Sequence, residues 1–381
     1  MSYGTVQAEK MTTESGYSLG AGNASSFKNR IINGNMATAQ RSTGPVANAV
    51  SSSTLTYATL DRWGYWAQQA SKFTVQQGVG SLSGFPLNAL ITSSTALSVA
   101  SDSYYSFAQR IEGYNFADFN FGLASAKSFT VSFWIYSSIT GTFPFYCFNS
   151  GYSRSYVSTF TVNAANTWEQ KTITVAGDTA GSWVGATNGI GIEVGITLAA
   201  GSNWFAPSAN TWSSTNFGLG LSGATNFLAT NGATMYVTGF QLEAGTVATS
   251  FDFRSYGTEL QLCYRYNYVY YRRGASSDSN VALPGTGSYY TASSVYTNIM
   301  FPVTMRTTPT LTTPNRTDAY CFPANSTSPF SPTVSLGHQF YNGCFLVANT
   351  TSSATGGDAT NSFMATGNWV NGDYLGFSAE L

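Results

Sequence analysis

Charge is what this sequence has least of. Only 9% of its 381 residues are Asp, Glu, Lys or Arg, and 16 basic residues face 17 acidic ones, where an ordinary domain is about a quarter charged. A surface this neutral has no basic footprint for counterion release, so nucleic acid is not expected as a partner. There is one histidine, His338, and the four cysteines Cys147, Cys263, Cys321 and Cys344 are widely spaced without a CxxC or Cys/His pattern. That spacing gives no zinc-site pattern, and no metal site is expected. No apolar run is long enough for a membrane helix, so membrane insertion is not expected, and no charged-then-apolar leader calls for export by a signal peptide.

Catalytic patterns are missing too. His338 stands in a glycine-containing turn with no nucleophile motif, and Gly189-Ile190-Gly191 lies within a strand pattern, not before a helix as a phosphate loop requires. Two carboxylate pairs, Asp102 with Glu112 and Asp178 with Glu193, are the candidates for glycan hydrolysis, but no spacing motif links either pair. The chain is therefore read as non-enzymatic.

What is present is aromatic, small and hydroxylated: 15% aromatic residues and 38 glycines, with many Ser and Thr. This composition predicts short strands joined by tight turns, an all-β protein with at most one short helix. Phe129, Val131, Phe133 and Ile135 alternate with Thr130, Ser132, Trp134 and Tyr136, which predicts a strand with one core face. Similar patterns occur over 104–111, 142–148, 155–161, 168–175 and 189–198. In the stretch 236–243, Tyr236, Thr238, Phe240 and Leu242 are expected to share a face. After the breaker Ala244-Gly245, Thr258 is placed to cap a short helix, so one unit is expected to close near residue 253 and a second, smaller β-unit to follow.

Rings then become the candidate binding residues, because an aromatic face stacks equally well on a sugar or on another subunit. Trp204 and Trp212 lie in a long polar stretch, 199–231, and with Tyr65 and Trp66 they are the expected ligand contacts. Trp134 and Tyr136 are read as covered by a neighbouring subunit or open to a ligand. Tyr264, Tyr266, Tyr268 and Tyr270 form a row that either packs around a symmetry axis or makes a half-buried strand face. A chain with so few charges is expected to hide part of its aromatic surface against its own copies, as a homotrimer. In Asp61-Arg62-Trp63 the expectation is a local ion pair with the ring packed over it.

The run Thr238–Glu243, with Gly245, Phe251, Arg254-Ser255-Tyr256-Gly257, Glu259-Leu260, Leu262-Cys263 and Arg265-Tyr266, resembles a segment of tail-fibre-like structural proteins of tailed bacteriophages, especially phages of marine bacteria. Phe27–Gly34, Gln40-Arg41 and Leu60-Asp61-Arg62-Trp63 agree with it. The order SFTVSFWIYSS, TWEQKTITV with GDTAGSW, and YVTGFQLEAG also resembles carbohydrate-binding modules built on a jelly roll. The resemblance implies a virion component. Residues 1–26 would be an attachment arm to other tail or virion proteins, 27–255 a jelly-roll β-sandwich body, and 256–381 a smaller C-terminal β-sandwich forming the distal tip. It implies host cell-surface polysaccharide as the partner, with a capsid-decorating fibre or tail joint, or a polysaccharide-degrading spike, as alternatives. A phage protein folds in the reducing bacterial cytosol, so the cysteines are expected as buried thiols, Cys321 with Cys344 being the one pair to check for a bridge. Carbohydrate modules of this kind often carry a structural calcium ion at a sheet edge. Glu243 and Asp252 could contribute to one, but no dense run of oxygen ligands accompanies them, and no cofactor is expected.

Overall fold

The computed structural model describes residues 10–12, 18–20, 27–214, 217–272, 286–291, 294–312, 334–349, 359–361 and 374–381. The chain divides into two compact units, Met1–Glu259 with Leu381, and Leu260–Glu380. Most of the expected attachment arm lies outside the described residues, apart from the short paired strands β1 (Lys10–Thr12) and β2 (Ser18–Gly20).

The first unit is a β-sandwich. Its remaining strands are β3 (Val46–Ala47), β4 (Ser51–Thr56), β5 (Trp63–Ala67), β6 (Phe73–Leu82), β7 (Phe85–Ser93), β8 (Tyr104–Glu112), β9 (Phe129–Ser137), β10 (Gly141–Phe148), β11 (Ser155–Val162), β12 (Glu169–Val175), β13 (Ile190–Ala200), β14 (Trp212–Ser213) and β15 (Thr234–Ala244). One antiparallel sheet has the order β14-β11-β10-β13-β8-β5-β4 and the other β12-β9-β15-β7-β6-β3. Neighbours distant in sequence, such as β8 beside β13 and β9 beside β15, are the crossings between sheets that a jelly roll requires.

The core lies between the sheets. Phe129, Val131, Phe133 and Ile135 of β9 are all fully buried, and they share one apolar cluster with Ile192, Val194 and Ile196 of β13. β15 departs from simple alternation. Its register with β9 shifts between Thr238 and Gln241, and Gly239 takes a left-handed conformation at φ +59°. This bulge exchanges the faces of the strand. Met235 and Val237 point inward before it, Phe240 and Leu242 after it, so Tyr236 does not share the face of Phe240. Tyr236 is turned out of the core.

The second unit follows α1 (Tyr256–Tyr264), whose start places Thr258 inside the first turn and not at its cap. Its strands are β16 (Asn267–Arg272), β17 (Thr286–Thr291), β18 (Ser294–Met300), β19 (Thr310–Thr312), β20 (Val334–Phe340), β21 (Gly343–Asn349), β22 (Ala359–Asn361) and β23 (Tyr374–Ser378). They form antiparallel sheets β16-β23-β19 and β20-β21-β18-β17-β22. Ile299 and Leu346 from one sheet pack with Leu375 and Phe377 from the other, closing a second, smaller sandwich.

Candidate functional site

The sequence segments that are most distinctive turn out to meet in one buried polar clasp. Asn29 donates to the Phe240 carbonyl (3.1 Å) and accepts from the Leu242 N–H (3.0 Å), which fixes residues 29–34 along β15. Asn33, left-handed at φ +60°, donates to the Thr38 and Asp61 carbonyls (2.8 and 2.9 Å), and its own carbonyl accepts from Trp63 Nε1. Arg254 pairs with Glu259 (3.2 Å), whose carboxylate also accepts the Asn33 N–H. Asp61 is fully buried and accepts from the Gln40 side chain, with Arg41 Nη1 at 3.7 Å. Arg62, at φ +69°, turns away to donate to the Arg110 carbonyl, while Trp63 stacks on Phe107. Asp61 therefore has Arg41 beside it, and the left-handed turn at Arg62 carries the next side chain toward Arg110. These residues hold structure together and line neither aromatic cleft of the sandwich.

Two aromatic clefts lie on the outer faces of the sandwich. The first, of about 230 Å³, is lined by Ser52, Ser53, Trp66, Tyr104, Tyr152, Trp204 and Phe217. It brings together two expected ligand residues, Trp66 and Trp204, from distant parts of the sequence. Trp66 forms the floor: it is 2% exposed, and its Nε1 donates to Glu193 (2.7 Å). Glu193 is fully buried and also accepts from Tyr146 (3.0 Å) and from Arg110 Nε (2.8 Å). Burial pushes its carboxyl up, against the pull of those donors. The same burial pushes the Tyr104 phenol up to about 12. Tyr104, Trp204 and Phe217 pack edge to face on one another with centroids 4.7–5.6 Å apart. Their faces are spent largely on each other, which makes this a satellite core.

The other two expected ligand residues are elsewhere. Tyr65 is in β5, not a loop, and is buried in the main core, its hydroxyl accepting from the Ala49 N–H (2.9 Å). Trp212 packs against Phe121, Tyr156 and Trp183 and donates to the Ala176 carbonyl (2.7 Å). Tyr65 is buried, and Trp212 is half-buried in a cluster away from either aromatic cleft.

The second cleft, of about 330 Å³, is lined by Tyr136, Trp168 and Tyr236 on one side and Val79, Gly80 and Ser81 on the other. Cross-strand register builds it: Tyr136 pairs with Tyr236, which pairs with Leu90, which pairs with Gln76, all on the outer face of one sheet. The three rings stand 5.3–6.4 Å apart and each remains partly exposed. Trp168 arrives from the loop before β12. That loop is held by Glu169, whose carboxylate accepts from the N–H groups of Asn163 and Ala164 (2.8 and 2.9 Å), the Asn163 side chain and Lys171. The modest burial of Glu169 works against ionisation, but Lys171 and the loop donors outweigh it and hold the carboxyl at about 2. Asn166 ties the loop to β9 through the Ser137 carbonyl (2.7 Å). Sequence reading weighed Tyr136 for an interface or a ligand and missed Trp168 and Tyr236. The outward alternation of Tyr136 was visible; its pairing with Tyr236 depends on the bulge at Gly239.

Among the other expected interface residues, Trp134 is half-buried on the same sheet face. The tyrosine row does not form along one strand. Tyr264 ends α1, Tyr266 is fully buried in the turn that follows, and only Tyr268 and Tyr270 lie in β16. A buried Tyr266 cannot contact a symmetry mate.

The carboxylate pairs are also placed. Asp178 is gripped by Arg154 through both oxygens (2.7 and 2.6 Å). Asp102 lies in the turn before β8 and Glu112 ends that strand, whose length alone is roughly 25 Å at strand rise. Glu243 accepts from Thr249 and Gln241, and Asp252 from the Asn29 N–H. Among the described residues no group of three or more His, Cys, Asp or Glu side chains is arranged to hold a metal. Cys147, Cys263 and Cys344 are buried thiols, Cys321 lies outside the described residues, and no described helix is long and apolar enough to cross a membrane.

No family model and no curated protein matches this chain. Solved structures show remote similarity. A putative sugar binding protein from Bacteroides thetaiotaomicron is 12% identical over 57% of this chain and 100% of that one, with a TM-score of 0.33. A family 11 carbohydrate-binding module of a Clostridium thermocellum cellulosomal cellulase is 12% identical over 53% and 99%, with a TM-score of 0.27. The enzymatically active domain of a bacteriophage CBA120 tailspike is 11% identical, with a TM-score of 0.28. That match covers 48% of this chain and 19% of the tailspike chain, so this protein spans about a fifth of that length.

Proposed function

We propose that the chain is a non-catalytic structural subunit of a tailed-phage virion, a fibre or spike protein, that binds host surface glycan through the Tyr136–Trp168–Tyr236 cleft. The observation that carries the glycan reading is the cleft itself: three partly exposed rings converge on one uncharged hollow, on a loop held in place by its own hydrogen bonds. Flat apolar faces with hydroxyl and N–H edges are what a pyranose ring needs. The virion assignment is supported by the resemblance of residues 27–34, 60–63 and 238–266 to tail-fibre-like proteins. Trimerisation is supported by the scarcity of charge. Engagement of Asp178 and Glu193 by arginines favours binding over hydrolysis.

Affinity electrophoresis of the purified chain through gels containing host-envelope polysaccharide tests this reading, with a reducing-end assay on the same polysaccharide. Retardation without reducing ends is expected. Unretarded migration would favour a fibre or joint with no glycan partner, and reducing ends would favour a degrading spike.

A further inference from the structure

Asn88 sits on the outer face of the six-stranded sheet, one row along from Leu90 and Tyr236. It is fully buried, yet neither its amide oxygen nor its amide nitrogen has a hydrogen-bond partner. The neighbouring hydroxyl of Thr238 is turned to the Leu87 carbonyl (2.8 Å) and does not serve it. The amide occupies a slot made by two glycines of β6. A side chain on Gly78 would begin 2.3 Å from the amide oxygen, and one on Gly80 2.6 Å from the amide nitrogen. Gly80 also lines the aromatic cleft, so the same glycine borders both the amide slot and the space beside Tyr136, Trp168 and Tyr236. The register between β6 and β7 is irregular between Val79 and Leu82, which leaves this stretch of wall without a regular ladder.

A buried donor and acceptor without partners destabilise the fold where an aliphatic side chain would not. Leucine would fill the same slot without leaving a donor or acceptor unpaired. The geometry instead keeps an amide, one donor and one acceptor side by side, at the foot of an aromatic cleft. No charged side chain lines the cleft among the described residues, and the nearby Glu169 and Lys171 satisfy each other.

We propose that Asn88 is the polar anchor of this cleft and that the ligand is an uncharged glycan. A vicinal hydroxyl pair of one sugar unit takes both hydrogen bonds of the amide as Gly80 is displaced, while a linked unit stacks on the rings. By strand spacing, Asn88 and Tyr236 are offset by roughly 8 Å along the sheet diagonal, which two linked pyranoses span. The proposal rests on the glycan reading of the cleft and adds the residue that reads the hydroxyls and the class of sugar accepted.

The test is calorimetric titration of the full chain with the neutral oligomers laminarihexaose, cellohexaose, xylohexaose and mannohexaose, and with the acidic oligogalacturonate and oligomeric sialic acid. Wild type, Asn88→Leu and Trp168→Ala are compared, each with its melting temperature. At least one neutral oligomer is expected to bind, and Asn88→Leu is expected to weaken it about tenfold or more while leaving melting unchanged or higher. Should Asn88→Leu bind like wild type while Trp168→Ala does not, the anchor is refuted and the cleft stands. Binding of acidic oligomers alone refutes the ligand class. If none of these oligomers binds wild type, the glycan reading falls and takes the anchor with it. Where Asn88→Leu does not fold, the wild-type chain with nitrogen-15 asparagine decides: a side-chain amide pair that shifts and exchanges more slowly on adding a neutral oligomer is expected, and no change overturns the proposal.

Discussion

Replacing Trp168 by alanine separates recognition from folding at the cleft. The indole stands 5.6 Å from Tyr136 and 6.4 Å from Tyr236 and keeps part of its surface open to solvent. Stacking a sugar on it removes roughly 80 Å² of apolar surface from water, worth about 2 kcal/mol at ~25 cal/mol per Å². Affinity should therefore become about thirtyfold weaker. The stability cost is smaller, because Glu169 and Asn166 hold the loop without the ring. What is lost is two partial ring contacts, about 1 kcal/mol in all, or a melting shift of about 2–4 °C for a unit of this size. Trp168→Phe keeps a flat ring and should bind within about threefold of wild type. Calorimetric titration with the best neutral oligomer, alongside thermal unfolding of each variant, measures both quantities. Unchanged affinity in Trp168→Ala would refute stacking, and so would a loss of affinity that merely follows a collapse in melting temperature.

Acid should loosen the same cleft. The folded Glu169 carboxyl is held at about 2, below its ordinary value, so the clamp is fully present above pH ~4.5 and is lost as pH falls toward 2. Sugar affinity should be flat from pH 7 to about 5 and fall below about 3, and Glu169→Gln should abolish that dependence. In the clasp, Glu259→Gln removes the nearer of the two carboxylates beside Arg254, leaving Asp252 at 3.8 Å. It should cost about 2 kcal/mol in denaturant unfolding, whereas Arg254→Met with Glu259→Leu should cost less than the single change; equal costs would argue against ion pairing as the source. Light scattering of the full chain and of a chain lacking residues 1–26 should give a trimer in both cases, and a monomer would remove self-association from the β-units.

The sandwich was legible because its strands state their period plainly. In β9 the apolar residues sit at every second position, and β8, β10, β11 and β13 lie within a few residues of their expected bounds. What single-strand patterns do not carry is lateral pairing and the interruptions that change it. The bulge at Gly239 reversed the faces of β15 and turned Tyr236 outward. A one-residue slip of this kind moves every later side chain to the opposite face. The same limit explains the ligand candidates. Tyr65 and Trp66 are adjacent in a strand, so one had to enter the core and the other the outer layer, and only the fold tells which ring keeps a free face. Asn88 gave no signal at all, since its meaning lies in the two glycines opposite it and in the rings one row away.

An open, uncharged cleft also fits the proposed role on energetic grounds. A site of about 330 Å³ with three rings and one buried amide offers a few kcal/mol beyond the cost of immobilising a flexible sugar, which corresponds to dissociation constants near millimolar. One such contact would not hold a particle to a cell. Several copies on one fibre raise the local concentration of the remaining sites into the millimolar range, and overall binding can gain about 10²–10⁴ without any new contact. The neutrality of the cleft then has its own consequence. Ionic screening weakens long-range attraction between charges but leaves stacking and hydrogen bonding to an uncharged sugar nearly untouched. A fibre that relies on such sites keeps its grip at high ionic strength, where a basic, polyanion-binding fibre would lose most of its own.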